Sequence, residues 1–402
     1  MSEWKKVKLG DYIDVLSGFA FKSKDFSDSG IPVIKIKNIS PPCVSLEDLS
    51  YVPDAIAFQN PRYILKKGDI LIAMTGSHIN QIASVVGRVG RVRYDDITVL
   101  NQRVGKIINK NDELSDIDFI YYYLSQYEVK VELAQKAGGA ANQANISPSD
   151  IKNLLFPCPA IEVQHRIATI LSRYDTLIEN YQKQIKLLEE AAQRLYKEWF
   201  VDLRFSGYEN AKMVEGLPEG WERKKLVDFA KVIMGQSPKS EYYNNENKGL
   251  PFHQGVGSYG NRFVVDDTYS TSYTRIAEPN SVLFSVRAPV GRLNITKNKI
   301  VIGRGLAAMT HIQGYQSFLF YLLKERFFKD NIIGNGAIFA SISKDELLNQ
   351  EFMIPSDKLI QRFNTIAGNI DDKILKTDNQ IRLLTEVRDR LLPRLMGGEI
   401  NV

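Results

Sequence analysis

Apolar residues in the segment 161–200 recur in steps of four and three: Ile167, Leu171, Tyr174, Ile178, Tyr181, Ile185, Leu188, Ala192, Leu195 and Trp199. A seam kept in phase over this distance requires one long helix with a single apolar stripe. From Ile167 to Trp199 such a helix runs roughly 48 Å at about 1.5 Å per residue. Glu, Lys and Arg share its other faces, so the stripe needs a partner.

The partner is in the same chain. A shift of 196 residues places the seam on Phe363, Ala367, Ile370, Ile374, Thr377, Ile381, Leu384, Arg388, Leu391 and Leu395. At the same offset Arg166, Asp175, Gln184, Leu187 and Arg194 meet Arg362, Asp371, Gln380, Leu383 and Arg390. Identities at positions that read as solvent-facing go beyond what amphipathic periodicity demands, so the segment is duplicated. The preceding segments repeat as well. Trp4, Leu9, Asp11, Val15, Gly18, Lys22 and Ser23 align at offset 217 with Trp221, Leu226, Asp228, Val232, Gly235, Lys239 and Ser240. Val86-Gly87-Arg88 matches Val290-Gly291-Arg292, and 138–146 matches 334–342. The ends of the repeat agree and its middle diverges.

Within each globular segment, 31–39, 69–74 and 281–286 read as short buried strands, and 116–137 and 317–328 as helices followed by glycine turns at 138–139 and 334–336. The expected fold class is α+β: two sheet-containing domains and two long helices forming an intramolecular antiparallel coiled coil with an internal pseudo-two-fold repeat. The expected boundaries are 1–158 for the first domain, 159–205 for the central helix, 206–220 for a linker, 221–355 for the second domain and 356–402 for the last helix. The seam of that coiled coil is Ile167, Leu171, Tyr174, Ile178, Ile185, Leu188 and Leu195 against Phe363, Ile370, Ile374, Ile381, Leu384 and Leu391. Ser356 is a candidate N-cap of the second helix, and Gly397-Gly398 ends it. The antiparallel sense comes from the linker. About fifteen extended residues reach roughly 50 Å at best, barely the return path that a parallel pair requires. An antiparallel pair needs no return, and it puts the domains at opposite ends of a rod.

A rod of this length can bridge DNA half-sites about 34–36 Å apart, and two unlike domains would read unlike half-sites. The same geometry suits a scaffold for two protein partners. Catalytic signatures are weak. Gly255-Val256-Gly257-Ser258-Tyr259-Gly260 has dinucleotide-loop spacing, but a strand-like run follows it where a helix should begin. Asn60-Pro61-Arg62-Tyr63 is one residue from an amino-methyltransferase Asn-Pro-Pro-Tyr loop, without an accompanying cofactor loop. Cys43 and Cys158 and four histidines give neither a disulfide framework nor zinc spacing. No apolar run approaches the ~18 residues of a membrane span, and the N-terminal residues lack the apolar core of a signal peptide, so a cytoplasmic protein with no membrane partner is expected. The net charge of +5 gathers in the second domain, where 206–355 holds eighteen basic and fifteen acidic residues. There Arg287, Arg292, Lys297, Lys299 and Arg304 follow one another with no acidic residue between them. This run is either a phosphate-facing strip or a surface whose counterions lie elsewhere.

Three further stretches carry a family resemblance: 198–205 (EWFVDLRF), 217–221 (LPEGW) and 391–400 (LLPRLMGGEI). With these, the chain resembles, end to end, the specificity subunits of type I restriction-modification systems. It departs from them in Glu162-Val163-Gln164, where adjacent Glu-Gln is commoner, and in Gly397, where Ser is frequent. The resemblance implies two target recognition domains, each followed by a long helix, and no catalysis and no cofactor in this chain. It implies as partners double-stranded DNA with an asymmetric bipartite site, two methyltransferase subunits and helicase-nuclease subunits. S-adenosylmethionine, ATP and Mg would be bound by those partners. The rival classes are a coiled-coil protein scaffold and a stand-alone DNA methyltransferase or nuclease.

Base-reading residues do not transfer by resemblance, so they are chosen on chemistry. Arg or Lys suits guanine, and Asn or Gln suits adenine. In the first domain the candidates are Lys35 and Lys37, alternating on one strand face; Thr75, Ser77, His78, Asn80 and Gln81; Arg88, Arg91 and Arg93; and Asn101, Gln102 and Arg103. In the second they are Gln254, Ser258, Tyr259, Asn261, Arg262, Arg287, Arg292 and Arg304. The three consecutive tyrosines 121–123 are read as core because they sit mid-helix among Phe119 and Leu124.

Overall fold

A computed structural model of the chain describes residues 4–77, 85–138, 144–214, 216–327 and 341–402. It divides into two compact units, Met1–Asn180 with Ile381–Val402, and Tyr181–Gln380. Each is a mixed α/β body built on two sheets, and the same strand pattern occurs in both.

In the first unit one sheet is ordered Ile13–Ser17, Val104–Asn109, Ile70–Ala73, Val89–Arg91, Cys43–Val44, Ile39–Ser40. In the second unit Ala230–Met234, Leu306–His311, Val282–Ser285 and Leu293–Ile295 repeat the first four strands in that order. The companion sheets share a parallel pair flanked by an antiparallel strand. In the first unit Ile31–Ile34 runs parallel to Thr98–Leu100, which pairs with Ile64–Leu65. In the second Leu250–His253 runs parallel to Ile300–Ile302, which pairs with Ile276–Ala277. Ile70–Ala73 and Val282–Ser285 are buried at every residue, as the apolar runs Ile70–Ala73 and Val282-Leu283-Phe284 require, with the Ser285 hydroxyl bound to the Pro289 carbonyl. Each unit then joins its beginning to its end: Lys6–Lys8 pairs antiparallel with Leu155–Pro157, and Glu222–Lys225 with Glu351–Ile354.

These closing strands lead into two helices of 40 residues each, Ile161–Phe200 and Asp357–Met396. The second contains Pro393 in its last turn and stops where Gly398 takes φ +68° and its N–H donates to the Leu395 carbonyl. Each unit uses part of both helices. In the first unit Ile167 and Leu171 share a core with Leu395 and Met396, and Leu391 packs against it. In the second, Ala192, Tyr196 and Trp199 share a core with Phe363, Ala367 and Ile374, while Ile185, Leu188, Leu195 and Ile370 pack on it half-buried. Ile178 is buried as well, and Tyr174, Ile381 and Leu384 are half-buried. Inside each unit the two helix portions run in opposite directions: 167–175 meets 388–395, and 189–199 meets 371–363. Each fully buried apolar side chain along them contributes about 1.5–3 kcal/mol.

Three expected elements differ. The helix expected over 116–137 is two, Ile117–Leu124 and Tyr127–Lys136. Ser125 Oγ folds back on the Tyr121 carbonyl at 2.7 Å, and Gln126 is extended, which ends the first helix after its tyrosines. All three tyrosines are buried. The strand expected over 31–39 stops at Ile34, and a 3-10 turn, Ile36–Asn38, follows it. The Asn38 side chain accepts the Lys35 N–H at 3.0 Å and fixes that turn, so Lys35 and Lys37 do not share a strand face. Finally, 206–220 is not a bare connection. It belongs to the second unit and carries the hairpin Met213–Val214 with Leu217–Pro218.

Candidate nucleic-acid interface

A parallel strand pair delivers both of its chains to the same end. In the first unit the register Ile34 with Leu100 makes Lys35 and Asn101-Gln102-Arg103 neighbours. Phe19 forms a bridge to Asn101, which brings the 18–22 loop alongside. In the second unit His253 pairs with Ile302, so Gln254 adjoins Gly303-Arg304-Gly305, and Gly235 N–H bonds the Leu306 carbonyl at 2.9 Å. The matched glycines have a physical cause: a Cβ on Gly18 would lie 2.1 Å from the Asn101 carbonyl oxygen, and one on Gly235 would lie 2.1 Å from that of Gly303. The next strand joins the same end in both units. The Arg103 carbonyl accepts Met74 N–H at 3.0 Å, and the Gly305 carbonyl accepts Val286 N–H at 2.9 Å. This sets Thr75 beside one cluster and Arg287 beside the other.

Several candidates therefore converge on one end of each unit. In the first these are Lys35, Lys37, Thr75, Ser77, Asn101, Gln102 and Arg103; in the second, Gln254, Arg287 and Arg304. Gln102, Arg103, Gln254, Arg287 and Arg304 are exposed, and among the described residues Arg103, Arg287 and Arg304 form no ion pair. Guanidiniums held at the surface without a counterion suit an anionic or guanine-rich ligand. Lys35 is less available. Its Nζ donates to Ser50 Oγ at 2.9 Å and lies 4.2 Å from the Phe26 ring centre, and burial, with Lys37 nearby, pushes its ammonium below the usual range. Thr75 is buried and its hydroxyl is bound to Asn145 Oδ1 at 2.8 Å. His78, Asn80 and Gln81 lie outside the described residues.

The structure removes three other candidates from such a surface. Arg91 is 8% exposed, paired with Asp118 at 2.6 Å and stacked 4.5 Å from the Tyr121 ring. Arg93 reaches Glu179 on the first long helix at 2.9 Å. Arg262 is 4% exposed, lies over the Phe320 ring at 4.4 Å, and binds Asp371 and, at 3.3 Å, Glu189. These three guanidiniums reach helix carboxylates and are spent on them. The basic run 287–304 divides in the same way, since Lys297 pairs with Asp378 and Lys299 with Glu278 at 3.1 Å. It is not a continuous phosphate-facing strip.

Ser258, Tyr259 and Asn261 belong to a loop folded by its own contacts. Buried His253 joins Ser258 Oγ through Nδ1 at 2.8 Å and Asp266 Oδ1 through Nε2 at 3.0 Å. The loop's glycines open a 3-10 turn, Val256–Ser258, and then a bridge between Tyr259 and Val264, with no helix after them. Tyr259 Oη is buried and burial raises its pKa; Asn261 is exposed. Arg88 and Arg292 are half-buried in the matching turns before Val89–Arg91 and Leu293–Ile295. Sequence reasoning missed Ser237, whose hydroxyl donates to Gln254 Oε1 at 2.8 Å. The signal was present in the aligned loops that begin at Gly18 and Gly235.

A family model described as the type I restriction modification DNA specificity domain matches residues 1–190 and 218–381. A Methanocaldococcus jannaschii protein, provisionally named the type I restriction enzyme MjaX specificity subunit, is 30% identical over 405 residues, spanning 100% of this chain and 94% of its own. The MjaIX specificity subunit of the same organism is 26% identical over 421 residues, again covering 100% of this chain and 94% of its own. Among solved structures, the type I restriction-modification S subunit of M. genitalium superposes with a TM-score of 0.59 at 19% identity, covering 98% of this chain and 96% of that one, and it shares the fold. Among the described residues no helix is long and apolar enough to cross a membrane.

Proposed function

Because the chain belongs to the family of type I restriction-modification specificity subunits, we propose that each of its two units reads one half of an asymmetric bipartite sequence in double-stranded DNA. The observation that carries this reading is the cluster repeated at the carboxyl end of the parallel strand pair. It has one backbone framework in both units and different polar side chains on it: Asn101, Gln102 and Arg103 in one, Gln254, Arg287 and Arg304 in the other. A common scaffold with unlike polar side chains is what unlike half-sites require.

In this reading the two 40-residue helices form an antiparallel coiled coil that spaces the half-sites and docks two methyltransferase subunits, with helicase-nuclease subunits joining them. The opposed helix directions inside each unit support that arrangement. The domains of this reading are 1–158 and 221–355, joined through 159–205 and 206–220, with 356–402 completing the helix pair. The chain itself carries no catalysis. S-adenosylmethionine, ATP and Mg serve the partner subunits of a cytoplasmic complex.

Co-expression with the cognate methyltransferase, followed by methylome sequencing, tests the reading. A two-part motif with a fixed spacer is the expected product. Methylation or cleavage of DNA by the purified chain alone would establish an enzyme instead. Absence of DNA binding even with the methyltransferase present would favour a protein scaffold.

A further inference from the structure

The second unit contains an amide whose orientation is set before any ligand arrives. Gln254 follows the strand Leu250–His253, and Gly303-Arg304-Gly305 follows its parallel partner Ile300–Ile302. Ser237, from the adjoining loop, donates its hydroxyl to Gln254 Oε1 at 2.8 Å and accepts the Arg304 N–H at 3.2 Å. The Gln254 backbone is held as well, its carbonyl accepting Gly305 N–H at 3.1 Å. Gly303 leaves the space this arrangement needs, since a Cβ there would lie 2.8 Å from Gln254 Oε1 and 2.9 Å from Gln254 Cα. Despite these contacts Gln254 stays exposed, and its Nε2 makes no hydrogen bond among the described residues.

We propose that Gln254 reads an adenine in the half-site of the second unit, that Ser237 is the positioning residue that makes it adenine-selective, and that Arg304 reads a guanine in the same half-site. The proposal rests on the DNA-reading function above and deepens it. A glutamine free to rotate its amide can present Nε2 to the O6 of guanine as readily as it presents Oε1 to the N6 amino group of adenine. With Oε1 held by the Ser237 hydroxyl, Nε2–H donates to adenine N7, and the second lone pair of Oε1 accepts from adenine N6–H. Guanine would set its O6 against Oε1, two acceptors facing each other. Arg304 has the fork that matches guanine O6 and N7. The matching positions of the first unit hold Lys35 and Asn101-Gln102, and the Lys35 ammonium is already bound to Ser50, so the device belongs to one unit only.

The test uses the full chain in complex with its methyltransferase. The unsubstituted complex first gives the motif by methylome sequencing, and competition binding then uses duplexes in which each base pair of that motif is varied. Gln254→Ala should relax one adenine position roughly 5- to 150-fold, the worth of one bidentate base contact. Ser237→Ala should admit guanine at that same position while still rejecting pyrimidines there, and Ser237→Thr, which keeps the hydroxyl, should restore the preference. Arg304→Ala should relax a guanine position in the same half-site. The other half-site should be unchanged throughout, and the melting temperature of each complex checks its folding. An unaltered motif with Gln254→Ala, a uniform loss of affinity over every duplex, or Ser237→Ala indistinguishable from the unsubstituted complex overturns the proposal. A parent complex without any two-part motif would overturn the DNA-reading function itself, a separate and recognisable result.

Discussion

Replacing Arg262 by alanine separates a structural guanidinium from a DNA-reading one. Its charge is enclosed by Glu189, Asp371, the Phe320 ring and, through Asp371, the Tyr321 hydroxyl at 3.1 Å from that carboxylate. Truncation leaves Asp371 without its cation in a site where burial already pushes the carboxyl up. Breaking one partner of such a pair costs about 3–5 kcal/mol. The cost has a pH signature. In Arg262→Ala the folded-state pKa of Asp371 rises further above its unfolded value, so the carboxyl is tolerated when protonated and the penalty grows as pH rises through the folded pKa. The loss should therefore be smaller at pH 5 than at pH 8. Urea unfolding followed by tryptophan fluorescence reads the correct unit: of three tryptophans, Trp199 and Trp221 lie at the second unit's core, and Trp4→Phe silences the third. The double variant Arg262→Met with Asp371→Asn, which removes both charges, should recover most of the loss. If Arg262→Ala costs under about 1 kcal/mol, far below the range for a broken buried pair, while DNA affinity collapses, the structural assignment is wrong and the residue faces the ligand.

Three other outcomes are expected. Arg103→Ala and Arg287→Ala should each weaken DNA binding of the complex and leave the unfolding free energy within about 0.5 kcal/mol; unchanged affinity at both would remove the strand-end cluster from the interface. Inserting one heptad into each long helix, after Asn180 and after Gln380, should add roughly 10 Å, about three base pairs, to the spacer with both half-sites preserved; a methylome with unchanged spacing refutes the spacer role. His311 is buried with Nδ1 accepting Gln313 N–H at 3.2 Å, and burial pushes it from 6.5 down to about 4. The unfolded chain therefore takes the proton first, and the stability of the second unit should fall by about 2–3 kcal/mol as pH drops through that window. His311→Gln should flatten the slope, and an identical pH profile would discount the histidine.

The helices and the duplication were legible because both are periodic signals that survive at the level of single residues. Asp175 and Asp371 show where such reading stops. Both were counted among solvent-type identities of the repeat, yet Asp175 is 4% exposed, bound by Tyr122 at 2.7 Å and Arg388 at 2.9 Å, and Asp371 holds Arg262 and Tyr321. A carboxylate beside a heptad seam looks solvated until its partners arrive from elsewhere in the chain, and Arg388 lies 213 residues away. The same limit placed Arg91, Arg93 and Arg262 among DNA readers, since a guanidinium carries no local mark of the acid that will claim it. The strand face that Lys35 and Lys37 were expected to share failed for a local reason, the Asn38 side chain turning the strand early. Ser237 and Gln254 meet because the Gly235 and Gln236 N–H groups bond the Leu306 and Ile302 carbonyls beside the parallel strand pair, long-range contacts that periodicity does not report.

The division of the long helices between the units has a consequence for biosynthesis. The first unit contains Met1–Asn180 but also Ile381–Val402, and Leu395 and Met396 are buried in its core. The second, Tyr181–Gln380, is one unbroken stretch of chain. A ribosome working from the N-terminus therefore begins the first unit earliest and supplies its last core residues after the second unit is fully made. Until then the apolar stripe of Ile167 and Leu171 waits beside a vacant place. A stop codon placed just after Gln380 would spare the contiguous unit and deny the first one its closing segment, so damage at one end of the coding sequence would be felt by the domain encoded at the other.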